Sequence, residues 1–334
     1  MNEPQGELDY LFREARQFRR SDYFRKMIEF SARMVHLKPF NAMLVYNQMP
    51  GAQYVLYAEE WAKRFHRLIK PDARPLVILN FKPVGYVFDL SNTYPDPKFH
   101  SESRNKSMSD AELLFEIEKE FDAEFLRDIT VDMEQLYQNL NKNGIAVNDA
   151  LDSGAGYGGH CQSLPDAYPQ EITFTRNIKL LWKLPLLVSI SKNASKAECI
   201  NTITHELGHI FCHHLQCPKN WRDDRQNEEK YPYAWEKRIL SYDAEEIEAE
   251  SVAYLVCSRL GIKTKSKEYI ASFIEDSEEI PDEVNYEHIF KAANKTLEFF
   301  DYMNYKDGML YKYDSALRRT LDNITHSPEG KSRL

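Results

Sequence analysis

The sequence predicts an α+β protein, and three observations predict it. Short apolar runs rich in β-branched residues, such as Pro75-Leu-Val-Ile-Leu79 and Leu186-Leu-Val-Ser-Ile190, read as strands. Longer stretches with helical period and capping signals, such as Ser195 to Ile210 and Asp243 to Val256, read as helices. No internal repeat or low-complexity segment interrupts them.

Taken in order, residues 7–37 read as one or two helices and Asn41 to Gln48 as a short one before the Met49-Pro50-Gly51 turn. Pro75–Leu79 and Gly85–Leu90 read as paired strands around the Phe81-Lys-Pro83 connection. Residues 91–109, polar and rich in Pro and Ser, read as a loop and a domain boundary. Asp110 to Asn141 has a helical pattern. Gly144–Asn148, Glu171–Thr175 and Leu186–Ile190 are expected to share one small sheet. Lys267–Ile274 and Asn285–Met303 read as a C-terminal helical bundle, and the polar end as frayed. The expected domains are 1–105, an α+β unit; 106–262, carrying the candidate site; 263–325, helical; and 326–334, a tail.

His205-Glu206-Leu207-Gly208-His209 is an HExxH motif. On a helix, residues four apart share a face, with Cβ atoms about 6 Å apart. Two imidazoles placed so can bind one zinc ion. Glu206 lies about 100° round the axis and can reach a water on the metal without being a ligand, as in a metalloprotease. The bland alternative is an amphipathic helix that happens to carry histidines. Against it stand the Ser195–Glu198 capping box, the strand just before it, and the apolar face of Ile200, Ile203, Leu207 and Ile210.

A catalytic zinc needs a third protein ligand and an open position. The Asp243–Val256 helix offers Glu246 and Glu250, four apart, with Asp243 and Glu246 forming a second capping-box pattern. Ala249 and Ala253 are small enough for close helix packing. Glu246 is the expected ligand, with Glu250 accepting a hydrogen bond from a ligand histidine; the reverse assignment stays open. Glu245 and Glu248 read as a solvated face. His213 and His214 read as the polar end of the motif helix. Cys212 and Cys217 are too few and too oddly spaced for a structural zinc site. Tyr242, Tyr157 and His160 are candidate oxyanion donors. The Gly154–His160 segment reads as a loop beside the cleft or a plain turn.

His205-Glu-Leu-Gly-His209 after a strand, followed by Glu246-Ile-Glu-Ala-Glu-Ser-Val-Ala253, resembles the ImmA/IrrE-type zinc metallopeptidases over roughly residues 145–262. That pattern is HExxH, then Glu-x-Glu-Ala-Asn/Asp-x-Phe-Ala. Here Glu250 stands where Asn or Asp is usual and Val252 where Phe is usual, changes that keep an acceptor and an apolar group. The wide gap from His209 to Glu246 suggests an inserted loop, Gln216 to Ser241. The resemblance implies a zincin-like domain that cuts a protein or peptide, such as a DNA-binding repressor. More weakly, Pro39–Tyr46, Ala58–Trp61 and Val87–Leu90 resemble the N-terminal domain of ArdC-type antirestriction proteins, which implies single-stranded-DNA binding by residues 1–100.

Composition bounds these readings. The 334 residues are 43% hydrophobic and 28% charged, with net charge −9, against a general nucleic-acid coat. Charge is uneven, however. Arg13, Arg16, Arg19, Arg20, Arg25, Lys26, Arg33 and Lys38 crowd residues 13–38, near Tyr23, Phe24, Tyr46 and Tyr54. Such a face could bind single-stranded nucleic acid; an ordinary amphipathic helix fits as well. No membrane span and no signal peptide are read, and five cysteines without framework spacing fit a reducing cytoplasm.

Overall fold

The computed structural model describes residues 20–80, 84–98, 112, 114–119, 131–152, 158–164, 169–175, 178–217, 235–262 and 279–300. It is a mixed α+β fold in two compact units. One holds Met1–Asp128 with Ser258–Gly261 and Ile274–Ile280; the other holds Ile129–Cys257 with Ile262–Phe273 and Pro281–Leu334.

In the first unit, helix α1 (Ser21–Arg33) buries Phe24, Met27, Ile28 and Phe30, and its Arg25, Lys26 and Arg33 are exposed. Helix α2 (Pro39–Gln48) begins with proline at its first turn, where a missing N–H costs nothing. Of the aromatics near the basic stretch, Phe24 and Tyr46 are buried, and Tyr23 is tied to Asn47 and to the Tyr46 ring. The amphipathic-helix reading accounts for this. Arg13, Arg16 and Arg19 lie outside the described residues.

Strands β1 (Val55–Leu56), β3 (Leu76–Ile78) and β4 (Gly85–Asp89) form an antiparallel sheet in the order β1-β4-β3. The open edge of β3 is covered by side chains of α2. Asn41 and Gln48 each accept from one backbone N–H and donate to one carbonyl, at Leu79 and at Val77. These amides stand in for a missing strand and blunt the edge. Helix α3 (Ala58–Phe65) buries Trp61 completely, its indole N–H donating to Phe88 O. Within the stretch expected to be a loop, β5 (Thr93–Pro95) pairs with β2 (Arg67–Ile69). Its polar letters hid a strand because the Arg67 guanidinium donates to Thr93 Oγ1 and O.

In the second unit, α4 (Met133–Lys142) is capped by Asp132 and leads into a mixed sheet. Its order is β6-β10-β7, with β6 (Ile145–Leu151) parallel and β7 (Gly159–Ser163) antiparallel to the central β10 (Leu186–Ser191). Two sequence expectations change here. Glu171–Thr175 does not join this sheet: β8 (Pro169–Thr175) pairs with β9 (Ile178–Lys183) as a separate hairpin. The end of the glycine-rich segment is strand β7, not a loop. Gly159 is required there, because a Cβ would lie 2.3 Å from Ser189 O and 2.6 Å from the Thr202 methyl of the next helix.

That helix is α5 (Lys196–Phe211), opened by the expected capping box. Ser195 Oγ accepts from Glu198 N–H and Glu198 accepts from Ser195 N–H. Helix α6 (Tyr242–Arg259) starts earlier than the Asp243 cap expected from sequence. Ser241 is the cap, accepting from the Ala244 and Glu245 N–H groups. Helix α7 (Tyr286–Glu298), capped by Asn285, packs on α5, with Phe299 stacked on Phe211. None of the five cysteines is bridged. Among the described residues, no helix is long and apolar enough to cross a membrane. Lys267–Ile274, most of 99–130, most of the 216–241 segment and 301–334 lie outside the described residues.

Candidate metal centre

Two helices of the second unit present the candidate site. They meet at Gly208, where a Cβ would lie 2.8 Å from Ala249 Cα and 2.9 Å from Ala249 O. Only hydrogen at Gly208 allows this approach, and it brings the motif histidines opposite the glutamates of α6. His205 Nε2 and His209 Nε2 face each other at 3.1 Å. Glu246 reaches both, with Oε2 3.7 Å from His205 Nε2 and Oε1 3.6 Å from His209 Nε2. Their ligand atoms lie within 4.8 Å of one another, so His205, His209 and Glu246 form a group that could hold a metal ion.

Glu250 stands on the other side of His205. Its Oε1 is 3.2 Å from His205 Nδ1, close enough to accept that N–H, though the alignment is imperfect. The two glutamates therefore address different nitrogens of one ring. With ring protons on the Nδ1 atoms, two Nε2 lone pairs and a carboxylate face each other, an arrangement that a cation stabilises. This donor set fits a borderline divalent ion.

Burial sets the titration of these groups. His209 is held neutral, its pKa lowered to about 2 chiefly by burial, with the nearness of His205, His214 and Lys237 adding to it. For His205, burial works downward, but hydrogen bonding and charge from Glu250, with Glu206 and Glu246, prevail and raise it. Burial pushes the Glu246 carboxyl up, against the opposing His205 charge.

Glu206 is 6% exposed, and burial raises its pKa against His205, Cys161 and His160, which favour the carboxylate. Cys161, on β7, hydrogen-bonds to Glu206; burial first and then that carboxylate push its thiol well up. Nothing in the sequence flagged Cys161, since β7 was hidden in a glycine-rich segment. His160 lies on β7 opposite Ser189, near enough to Glu206 for its charge to be felt. Tyr242 is the first residue of α6 and 65% exposed. Tyr157 lies outside the described residues.

Glu248 corrects the solvated-face expectation. It is 0% exposed and accepts from His214 Nε2 at 2.9 Å and from Arg238 at 2.7 and 3.1 Å. Burial alone would raise its pKa; His214, Arg238 and the Asn285 N–H outweigh that and hold it below the usual carboxylate range. His214 is likewise buried, and its Nδ1 meets His209 Nδ1 at 2.8 Å. His213 turns away and stacks on Trp235. Cys212, His214 and Glu248 form a second, fully buried group within metal-ligand reach. Glu245 is half-buried and pairs with Lys237.

No protein-family model, no curated protein and no solved structure matches this chain.

Proposed function

We propose that this protein is a zincin-like, zinc-dependent metallopeptidase of the ImmA/IrrE type, with the metal on His205, His209 and Glu246. The observation that carries the reading is the convergence of two facing Nε2 atoms and the Glu246 carboxylate, with Glu206 buried beside them. A divalent ion held there supplies Lewis acidity, polarising a peptide carbonyl and making water easier to deprotonate. Glu206 is the general base: it takes a proton from the attacking water and returns it to the leaving amine. Burial raises its pKa, which favours its return of the proton. Glu250 fixes His205 through Nδ1.

Strand β7 offers a place for the substrate. Among the described residues, its edge away from β10 pairs with no strand. An edge strand of this kind can take an extended peptide as one more strand. A regulatory protein with an exposed extended segment, such as a DNA-binding repressor, is the substrate class this favours, in a cytoplasmic setting.

A second reading is an ArdC-like single-stranded-DNA binder whose metal is structural. The exposed Arg25, Lys26 and Arg33 on α1 favour it; the buried Phe24 and Tyr46, which cannot stack on bases, do not. The deciding experiment compares the zinc-loaded wild type with Glu206→Gln, scoring cleavage of co-purified proteins and salt-dependent binding of a single-stranded oligonucleotide. Cleavage by the wild type alone supports the peptidase. Equal function of both proteins, with oligonucleotide binding that falls steeply with salt, supports the alternative.

A further inference from the structure

Behind His209, on the side away from Glu246, a line of polar side chains runs into the core of this unit. At its far end Arg238 donates twice to Glu248, Nη1 to Oε2 and Nη2 to Oε1. A carboxylate gripped by a guanidinium in this way is ionised. Glu248 Oε1 also accepts from the Asn285 N–H at 2.7 Å, and Oε2 from His214 Nε2 at 2.9 Å. An ionised carboxylate only accepts, so His214 Nε2 carries a proton. In the tautomer that carries this proton alone, the ring has a lone pair on Nδ1. That lone pair faces His209 Nδ1 at 2.8 Å, and the contact closes as a hydrogen bond when His209 donates. His209 then keeps its lone pair on Nε2, the atom that faces His205 Nε2 and Glu246.

We propose that His214, Glu248 and Arg238 are positioning residues: a buried hydrogen-bonded chain that fixes the tautomer and ring orientation of His209. The inference rests on the metal-site reading above. It gives the two motif histidines different supports, a carboxylate at His205 and a second imidazole at His209.

The competing possibility is a second ion at Cys212, His214 and Glu248. Arg238 twice, the Asn285 N–H and His214 Nε2 already fill about the full lone-pair capacity of the Glu248 carboxylate. One of them is a guanidinium nitrogen at 2.7 Å, which an ion would have to displace. The Arg238 cation already fills the role an ion would have.

Two measurements test this. The first is nitrogen-15 NMR of histidine-labelled, zinc-loaded wild type. The expected spectrum shows His209 protonated on Nδ1 with Nε2 on the metal, and His214 protonated on Nε2 alone. A His214 protonated on Nδ1, or on both nitrogens, overturns the proposal. The second is zinc affinity by competition with a chromophoric chelator, with cobalt(II) absorption as a readout of ligand geometry. His214→Phe should lower affinity about 10–100-fold and shift the cobalt bands. His214→Gln, whose amide can accept from His209 and donate to Glu248, should recover much of both. If wild type binds one equivalent and both variants match it in affinity and spectrum, the positioning role is wrong while the metal site stands. Two equivalents in wild type, with His214→Phe losing one and keeping the other unchanged, would make the buried group a second metal site and overturn the chain. A wild type that binds no metal defeats the metal-site reading itself. If His214→Phe fails to fold, the wild-type NMR and His214→Gln still decide.

Discussion

Replacing Glu206 by Gln keeps the volume and one acceptor of this buried side chain but removes its capacity to take a proton. Metal content and melting temperature should therefore stay near wild type while peptide cleavage falls about 10²–10⁴-fold. A variant that cleaves at the wild-type rate would remove Glu206 from the chemistry. Glu246 and Glu250 differ in the nitrogen they address. Glu246→Ala removes a group facing both Nε2 atoms and should weaken zinc more than Glu250→Ala, whose loss should cost about 10–100-fold. Chelator competition on the two variants reads the order directly; the reverse order would exchange their roles. At this scale spacing said much. It paired His205 with His209 and put Glu246 and Glu250 on one face. It could not say that Glu248, one of several acids in a row, is fully buried. That depends on Arg238 and Asn285, supplied by segments distant from α5 and adjacent to no recognisable motif.

Helices α5 and α6 come together because Gly208 and Ala249 leave almost nothing between their backbones. Alanine at an ordinary helical site is favoured over glycine by about 1 kcal/mol. At Gly208 its methyl would press on backbone, which cannot rotate away, and overpacking typically costs about 1–3 kcal/mol. Gly208→Ala should thus lose net stability in denaturant unfolding and bind zinc more weakly, since the helices that carry its ligands must part. Gly51→Ala, with nothing within 4 Å of the new methyl, is the control and should change neither. A Gly208→Ala protein as stable as wild type, with unchanged zinc affinity, would contradict this packing account. Element by element, the capping box of α5 and the β3–β4 pair were readable because each is written in contiguous residues. Strands β7 and β5 were not. Gly159 is in β7 because Thr202 and Ser189 leave no room for a side chain, and such a reason exists only after folding. The Asp243 cap failed similarly, since the helix already begins at Tyr242 and Ser241 takes the Ala244 and Glu245 N–H groups.

For the molecule as a whole, acid should act through half-buried histidines held neutral in both units. His36 is lowered to about 4, chiefly by burial, and its Nε2–H donates to Val55 O; His213 is also lowered to about 4, by burial and then by His288. An unfolded chain protonates these rings near the ordinary histidine value of 6.5, whereas the folded one does not until about 4. Their contribution is fully present above pH 6.5, is lost as pH falls from there toward about 4, and changes little below. Urea midpoints of metal-free protein across this window should fall with pH, and less steeply for His36→Gln. An identical slope in that variant would mean His36 is not held neutral.

The central claim is one ion on His205, His209 and Glu246, and anomalous diffraction from crystals of the zinc-loaded protein tests it most directly. The expected result is a single anomalous peak bonded to both Nε2 atoms at about 2.0–2.1 Å and to a Glu246 oxygen, with Glu250 on His205 Nδ1. A peak among Cys212, His214 and Glu248, or no peak in the folded protein with excess zinc, would contradict it.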